Sequence, residues 1–169
     1  MKYDHLLGRA FKHGSADCYG LIRDFYRDIY DLELTNYARP DMWWDHGFNL
    51  YIDYVEREGF RIVDVGLEPG DIIMMAIKSP VANHGAIYVG DNKILHHFPN
   101  SLSVVEGYKG MFRNRTVAIY RHPAVAEQAA AVTEEVDLMT LLPPTVRQRL
   151  EEARRTAGNP ANLPAQAQG

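Results

Sequence analysis

The apolar pattern of this chain changes period once, at Phe60, and that change limits the folds open to it more than any other feature. Before it, Leu21, Ile22, Phe25, Tyr26 and Ile29 recur at helical spacing, and Asp17 stands where a carboxylate can accept hydrogen bonds from the first free N–H groups of a helix. The reading is a helix on Cys18 that runs to about Tyr30, broken by the polar segment around Thr35 to Pro40. A second helix is expected between Asp41 and Glu58, with Trp43, Phe48, Tyr51, Ile52 and Val55 on one broad side and Gly59 at its exit. The adjacent Trp43 and Trp44 could form a sugar-stacking platform. Packing is preferred, because aromatic residues on an amphipathic helix most often form buried surface.

After Phe60 come short strands. Candidates are Arg61 to Val65, Ile72 to Ile77 launched by the Glu68-Pro69-Gly70-Asp71 turn, His84 to Gly90, Lys93 to Phe98 and Thr116 to Arg121, the last ended by Pro123. Helices followed by a meander of strands indicate an α+β domain, with helices on one side of an antiparallel sheet. A chain of 169 residues holds one such domain, assigned to 1–122, with an extension over 123–169. In that extension Ala124 to Met139 is helix-prone, Pro143-Pro144 breaks it, Thr145 to Arg155 is a charged helix, and Ala157 to Gly169 has nothing to pack. It is expected to serve as an arm, 124–169, held by other proteins of an assembly.

A net charge of −4 and a pI near 5.9 argue against nucleic acid as a partner, because phosphate neutralisation needs a basic face. Nothing at the N-terminus suits a signal peptide, and no stretch is apolar enough to span a membrane, so a soluble protein without a standard export signal is expected.

Chemistry centres on Cys18, the single cysteine. At a helix N-terminus the peptide dipoles favour an anion, which biases a thiol towards the nucleophilic thiolate; the competing reading is a small buried apolar side chain. A base would decide between them, and His84 opens the first strand of a hairpin. If Gly90 to Asn92 form a three-residue loop, Val89 pairs with Lys93, and His96 shares the face of His84. A two-residue loop of Asp91 and Asn92 brings His97 there instead. Gly90 and Asn92 suit the longer loop, so His96 is preferred. His84 would then take the Cys18 proton and His96 would orient His84, with backbone N–H groups at the helix start stabilising an oxyanion. Zinc held by Cys18, His84, His96 and His97 is the weaker alternative, since adjacent strand histidines point to opposite faces and no paired ligand spacing exists. No cofactor is called for.

Three blocks in order, Asp17-Cys18-x-Gly20-Leu21, Pro69-Gly70-Asp71, and His84-Gly85-x-Ile87-Tyr88-Val89-Gly90-Asp91 with His96 twelve residues after His84, resemble the NlpC-type family of papain-like cysteine peptidases. The resemblance spans about residues 5 to 122. It implies a papain-like α+β domain that cleaves amide bonds in bacterial cell-wall stem peptides, characteristically between D-glutamate and meso-diaminopimelate. It also implies Cys18 as nucleophile, His84 as base and His96 as orienting residue. Further blocks, Arg39-Pro40-Asp41-x-Trp43-Trp44, Gly47-x-Asn49-Leu50-Tyr51 and Ser79-Pro80-Val81-x-Asn83-His84, are similar to the branch carried in the tail tips of long-tailed bacteriophages. That likeness implies a virion location, synthesis in the host cytoplasm, tail-tip partners, and local opening of the wall as the genome passes in. A structural tail component with an inactive or masked site is the rival, and an intracellular thiol acyltransferase is a third reading. Two positions depart from the family: Phe11 stands where a tyrosine often assists the oxyanion hole, and Tyr19 where serine is common. Asp17 and Tyr19 are expected at the substrate rim, although a cap and a packing role would also account for them.

Overall fold

The computed structural model describes residues 2–64, 66–132, 143–146 and 148–149. Its first compact unit, Met1–Ala130, begins with a single 3-10 turn, Asp4–Leu6, and then helix α1, Cys18–Tyr30. Asp17 caps α1 by accepting from Gly20 N–H, and Asp31, in the left-handed conformation, ends it. Burial of Leu21, Ile22 and Phe25 is worth about 1.5–3 kcal/mol apiece. That outweighs the few tenths by which β-branched and aromatic residues disfavour a helix.

The expected second helix is broken in two. Trp43–His46 forms a 3-10 turn, Gly47 turns the backbone at φ 72°, and only Leu50–Arg57 is α-helical, as α2. The break keeps Trp43, Tyr51 and Val55 buried but leaves Phe48 59% exposed rather than on the shared face.

Six strands, β1 (Arg61–Ile62), β2 (Ile72–Met75), β3 (His84–Gly90), β4 (Lys93–His96), β5 (Val104–Gly107) and β6 (Thr116–Arg121), form one antiparallel sheet in the order β1-β6-β2-β3-β4-β5. The fold is thus α+β with an antiparallel sheet. Central β2 is buried throughout, and its alternate residues divide between two cores. Ile72 and Met74 pack with Ile87, Leu95, α1 and α2; Ile73 and Met75 pack with Ala86, Ile94 and Tyr108 on the other face, together with Phe112 of the short helix α3, Met111–Arg115.

The β3–β4 hairpin reaches the expected register by an unexpected route. Its loop has two residues, Asp91 and Asn92, both at positive φ, and Gly90 pairs with Lys93; a bulge between Tyr88 and Gly90 then restores Ile87 opposite Leu95. The two-residue turn alone would have brought His97 to the face of His84. The bulge returns that place to His96.

Helix α4, Pro123–Val132, carries Val125 into the core, and Gln128 Nε2 donates to Ile29 C=O at 3.3 Å. The first unit therefore passes the boundary expected at residue 122 and runs to Ala130. Of the second unit, Ala131–Gly169, only 131–132, 143–146 and 148–149 are described, so the expected arm lies mostly outside the described residues. No helix among the described residues is long and apolar enough to cross a membrane.

Candidate active site

Cys18 opens α1 because the chain before it is locked. Asp17 accepts from Gly14 N–H, Gly20 N–H and Arg39 Nε, each at 2.8 Å, and the Asp17–Arg39 pair is buried. Arg39 also donates through Nη1 to Tyr37 C=O at 2.6 Å, while its own carbonyl bonds His13 Nε2 at 2.8 Å. Gly20 has no substitute, since a Cβ there would collide with the Ser15 carbonyl. At Gly85, in β3, a Cβ would lie 2.8 Å from Ile22 Cδ1, so a larger residue there would make the end of that α1 side chain shift.

The Cys18 sulfur donates to the Tyr51 hydroxyl at 3.4 Å and is also bonded by the Gly85 backbone. Burial pushes the thiol up to about 11, the Asp17 carboxylate adds to the rise, and the bonds from Tyr51 and Gly85 only partly offset it. The expected bias towards thiolate at the helix start is opposed here by desolvation and by the capping carboxylate.

His84 and Cys18 line the same cavity, about 190 Å³ in volume, with Phe11, His13, Trp44, Tyr51, Asn83 and His97 also on its wall. His84 pairs with Met75 and so shares the pleat of Ala86 and Ile73, the face opposite α1. His84 is the first residue of β3 and Cys18 the first of α1, and the cavity lies at that end of the sheet, where both reach it. The His84 ring stacks on Phe98 with centroids 4.2 Å apart and meets the His96 ring edge-on at 5.5 Å. Burial depresses His84 to about 3, with His96 and His97 adding to the fall, so the thiol and the imidazole on this cavity are both uncharged at rest.

His96 bonds Glu106 Oε2 through Nε2 at 2.8 Å, and burial holds it below its usual range against the pull of that carboxylate. His84 Nε2 and His96 Nδ1 are both buried and without a hydrogen-bond partner. His97, the alternative third residue, is turned elsewhere: its Nε2 bonds Ser101 C=O at 3.2 Å and its ring meets Phe11 edge-on.

Asp17 and Tyr19 are not at the rim. Both are 1% exposed; Asp17 is consumed by the cap and by Arg39, and Tyr19 donates to Thr35 C=O under the Arg39 guanidinium. Cys18 and His84 line one cavity, and His96 meets the His84 ring edge-on without lining that cavity itself. Tyr51 and Glu106 were missed: Tyr51 reads as one more apolar residue of an amphipathic helix, and Glu106 falls in a strand whose sequence carries little alternation. Among the described residues no group of three or more His, Cys, Asp or Glu side chains is arranged to hold a metal ion.

The sequence signature of the NlpC/P60 family matches residues 8–121. The chain is 43% identical over 121 residues to "Tail tip assembly protein K" of Escherichia phage lambda, covering 71% of this chain and 60% of that protein. It is 34% identical over 122 residues to the protein of the same name from Escherichia phage N15, covering 71% and 50% respectively. The chain thus spans between half and three fifths of the length of these relatives.

Proposed function

The chain belongs to the NlpC/P60 family, and from that premise we propose that it is a phage tail-tip cysteine endopeptidase that hydrolyses amide bonds in peptidoglycan stem peptides. The bond assigned is the one between D-glutamate and meso-diaminopimelate, and its role is to open the host wall locally as the genome passes in. The observation that carries this reading is the cavity on which a buried cysteine at a helix start and a buried histidine at a strand start meet, with a second imidazole against the first.

The chemistry follows from neutral partners. As the Cys18 sulfur attacks the scissile carbonyl carbon, its proton passes to His84, and the carbonyl electrons move to the oxygen. Backbone N–H groups of the first turn of α1 and the Tyr51 hydroxyl, which lines the cavity beside the sulfur, stabilise that oxyanion. Tyr51 supplies the hydroxyl that Phe11 lacks. Collapse breaks the C–N bond, the departing amine takes the proton from His84, and a water deprotonated by His84 hydrolyses the thioester to release the acid and restore the thiol. Partners in the tail tip, reached through residues beyond 130, hold the enzyme at the wall.

One observation favours the rival, a tail-assembly component with a masked site: Cys18 is 4% exposed, its thiol is raised and His84 is lowered, so the resting site is closed and uncharged. Cys18→Ala separates the two readings when muropeptide cleavage and particle assembly are both scored. Lost cleavage with normal particles supports the peptidase; an intact chain that never cleaves defined muropeptides overturns it.

A further inference from the structure

We propose that Glu106, on the edge strand β5, is a positioning residue that fixes the proton arrangement of both histidines. The inference rests on the peptidase reading for its bearing on catalysis, but its physical content is independent of it.

A carboxylate oxygen only accepts, so the 2.8 Å contact between Glu106 Oε2 and His96 Nε2 requires the proton to sit on that nitrogen. His96 is neutral, because burial lowers it, and its Nδ1 is then a bare acceptor. That Nδ1 is one of the two buried ring nitrogens without a partner; the other is Nε2 of His84, on a ring whose centroid lies 5.5 Å away at an interplanar angle of 89°. As the rings stand the two orphans are not bonded to each other, and a small ring rotation that brings His84 Nε2–H onto His96 Nδ1 would satisfy both with a single bond. Leaving them unmet costs on the order of 1–3 kcal/mol each. Once Nε2 of His84 carries the proton, Nδ1 is the nitrogen free to take the Cys18 proton. Glu106 thus acts through His96 on His84, and the wrong choice at any step would put a proton on the base.

Register brings Glu106 into place. His96 pairs with Val104 and Ile94 with Glu106, so Glu106 is the diagonal neighbour of His96 across β4 and β5. Its side chain is half exposed while the His96 side chain is 1% exposed, so a surface carboxylate reaches in to a buried ring. Removing it leaves the packing intact, and the variants are expected to fold.

The test is long-range 1H–15N correlation NMR on the full chain, 15N-labelled, near neutral pH, for wild type, Glu106→Gln and Glu106→Ala, alongside kcat and KM on a defined muropeptide. Both rings of the wild type are expected as single Nε2–H tautomers. Glu106→Gln keeps them, because an amide oxygen still accepts. Glu106→Ala converts His96 to a tautomer mixture, perturbs His84, and lowers kcat by roughly 10- to 100-fold with KM unchanged, in the range of lost orienting partners. A Glu106→Ala chain whose two rings keep the wild-type tautomers overturns the proposal. The tautomers are read without substrate, so a chain that keeps the Glu106-dependent arrangement yet cleaves no muropeptide refutes the peptidase reading alone.

Discussion

The two sides of the cavity are built on opposite rules. On the sulfur side the capping carboxylate is fully used: both Asp17 oxygens are met, Arg39 ties the cap to the loop before α2 although its Nη2 is buried without a partner, and Tyr54 bonds Ala38 C=O at 2.8 Å to hold that loop. On the imidazole side two buried ring nitrogens have no partner, and the rings rest on aromatic faces. The first side is built for rigidity. The second holds its rings by aromatic contact and by Glu106, and a small turn of either ring would let the two nitrogens meet. A site that positions its nucleophile by an ion pair and its base by stacking should separate stability from activity when each is mutated.

The largest expected effect tests that separation. Cys18→Ala and His84→Gln should reduce muropeptide cleavage by roughly 10⁴-fold or more, the scale of losing a member of a nucleophile–base pair, with a change in unfolding free energy below about 1.5 kcal/mol. Equal losses of stability and activity would erase the distinction. The converse is Arg39→Met, which strands a buried carboxylate. Chemical denaturation should show about 3–5 kcal/mol of destabilisation, because an uncompensated buried charge remains.

A pH series sharpens the contrast. The folded-state pKa of His84 is depressed, so between its unfolded value, about 6.5, and its folded value, about 3, the unfolded chain binds the extra proton. Its contribution is therefore complete above the upper limit and is lost as pH falls towards the lower. Tm should drop steadily from pH 7 to pH 4, and His84→Phe, which keeps an aromatic face against Phe98, should flatten the slope. The flattening will be partial, because burial lowers His96 and His97 in the same direction. A slope unchanged in His84→Phe would place the pH sensitivity elsewhere. Last comes Glu106→Ala in stability: it removes the acceptor of a buried imidazole N–H and should cost about 1–3 kcal/mol, whatever it does to the tautomers.

These contrasts also mark what a reader of the sequence could see. Helix α1 was legible from Asp17 and the spacing of Leu21, Ile22, Phe25 and Tyr26, because cap and core face are local signals that agree. The partnership of His84 with His96 was reached through the wrong loop: the turn is two residues long, and only a bulge at Val89, which sequence spacing does not display, returns His96 to that face. The continuous second helix failed at Gly47, where apolar spacing on both sides hid a left-handed break. Strand β5 went unseen because it is a half-exposed edge strand of four residues with two adjacent valines, and Glu106 was hidden with it. The cap of Asp17 and the packing of Tyr19 were open as readings beside the rim role, and what no local pattern foretells is the approach of Arg39 from another loop that buries both. What was legible came from short-range periodicity, and what was missed came from contacts between distant segments.

The most direct measurement is mass spectrometry of a defined disaccharide stem peptide incubated with the purified full chain and, in parallel, with Cys18→Ala. The account predicts two products separated at the D-glutamate to meso-diaminopimelate bond, a transient acyl adduct on Cys18 in the intact chain, and neither in the variant. Intact substrate after prolonged incubation with the wild-type chain, or equal cleavage by both, would contradict it.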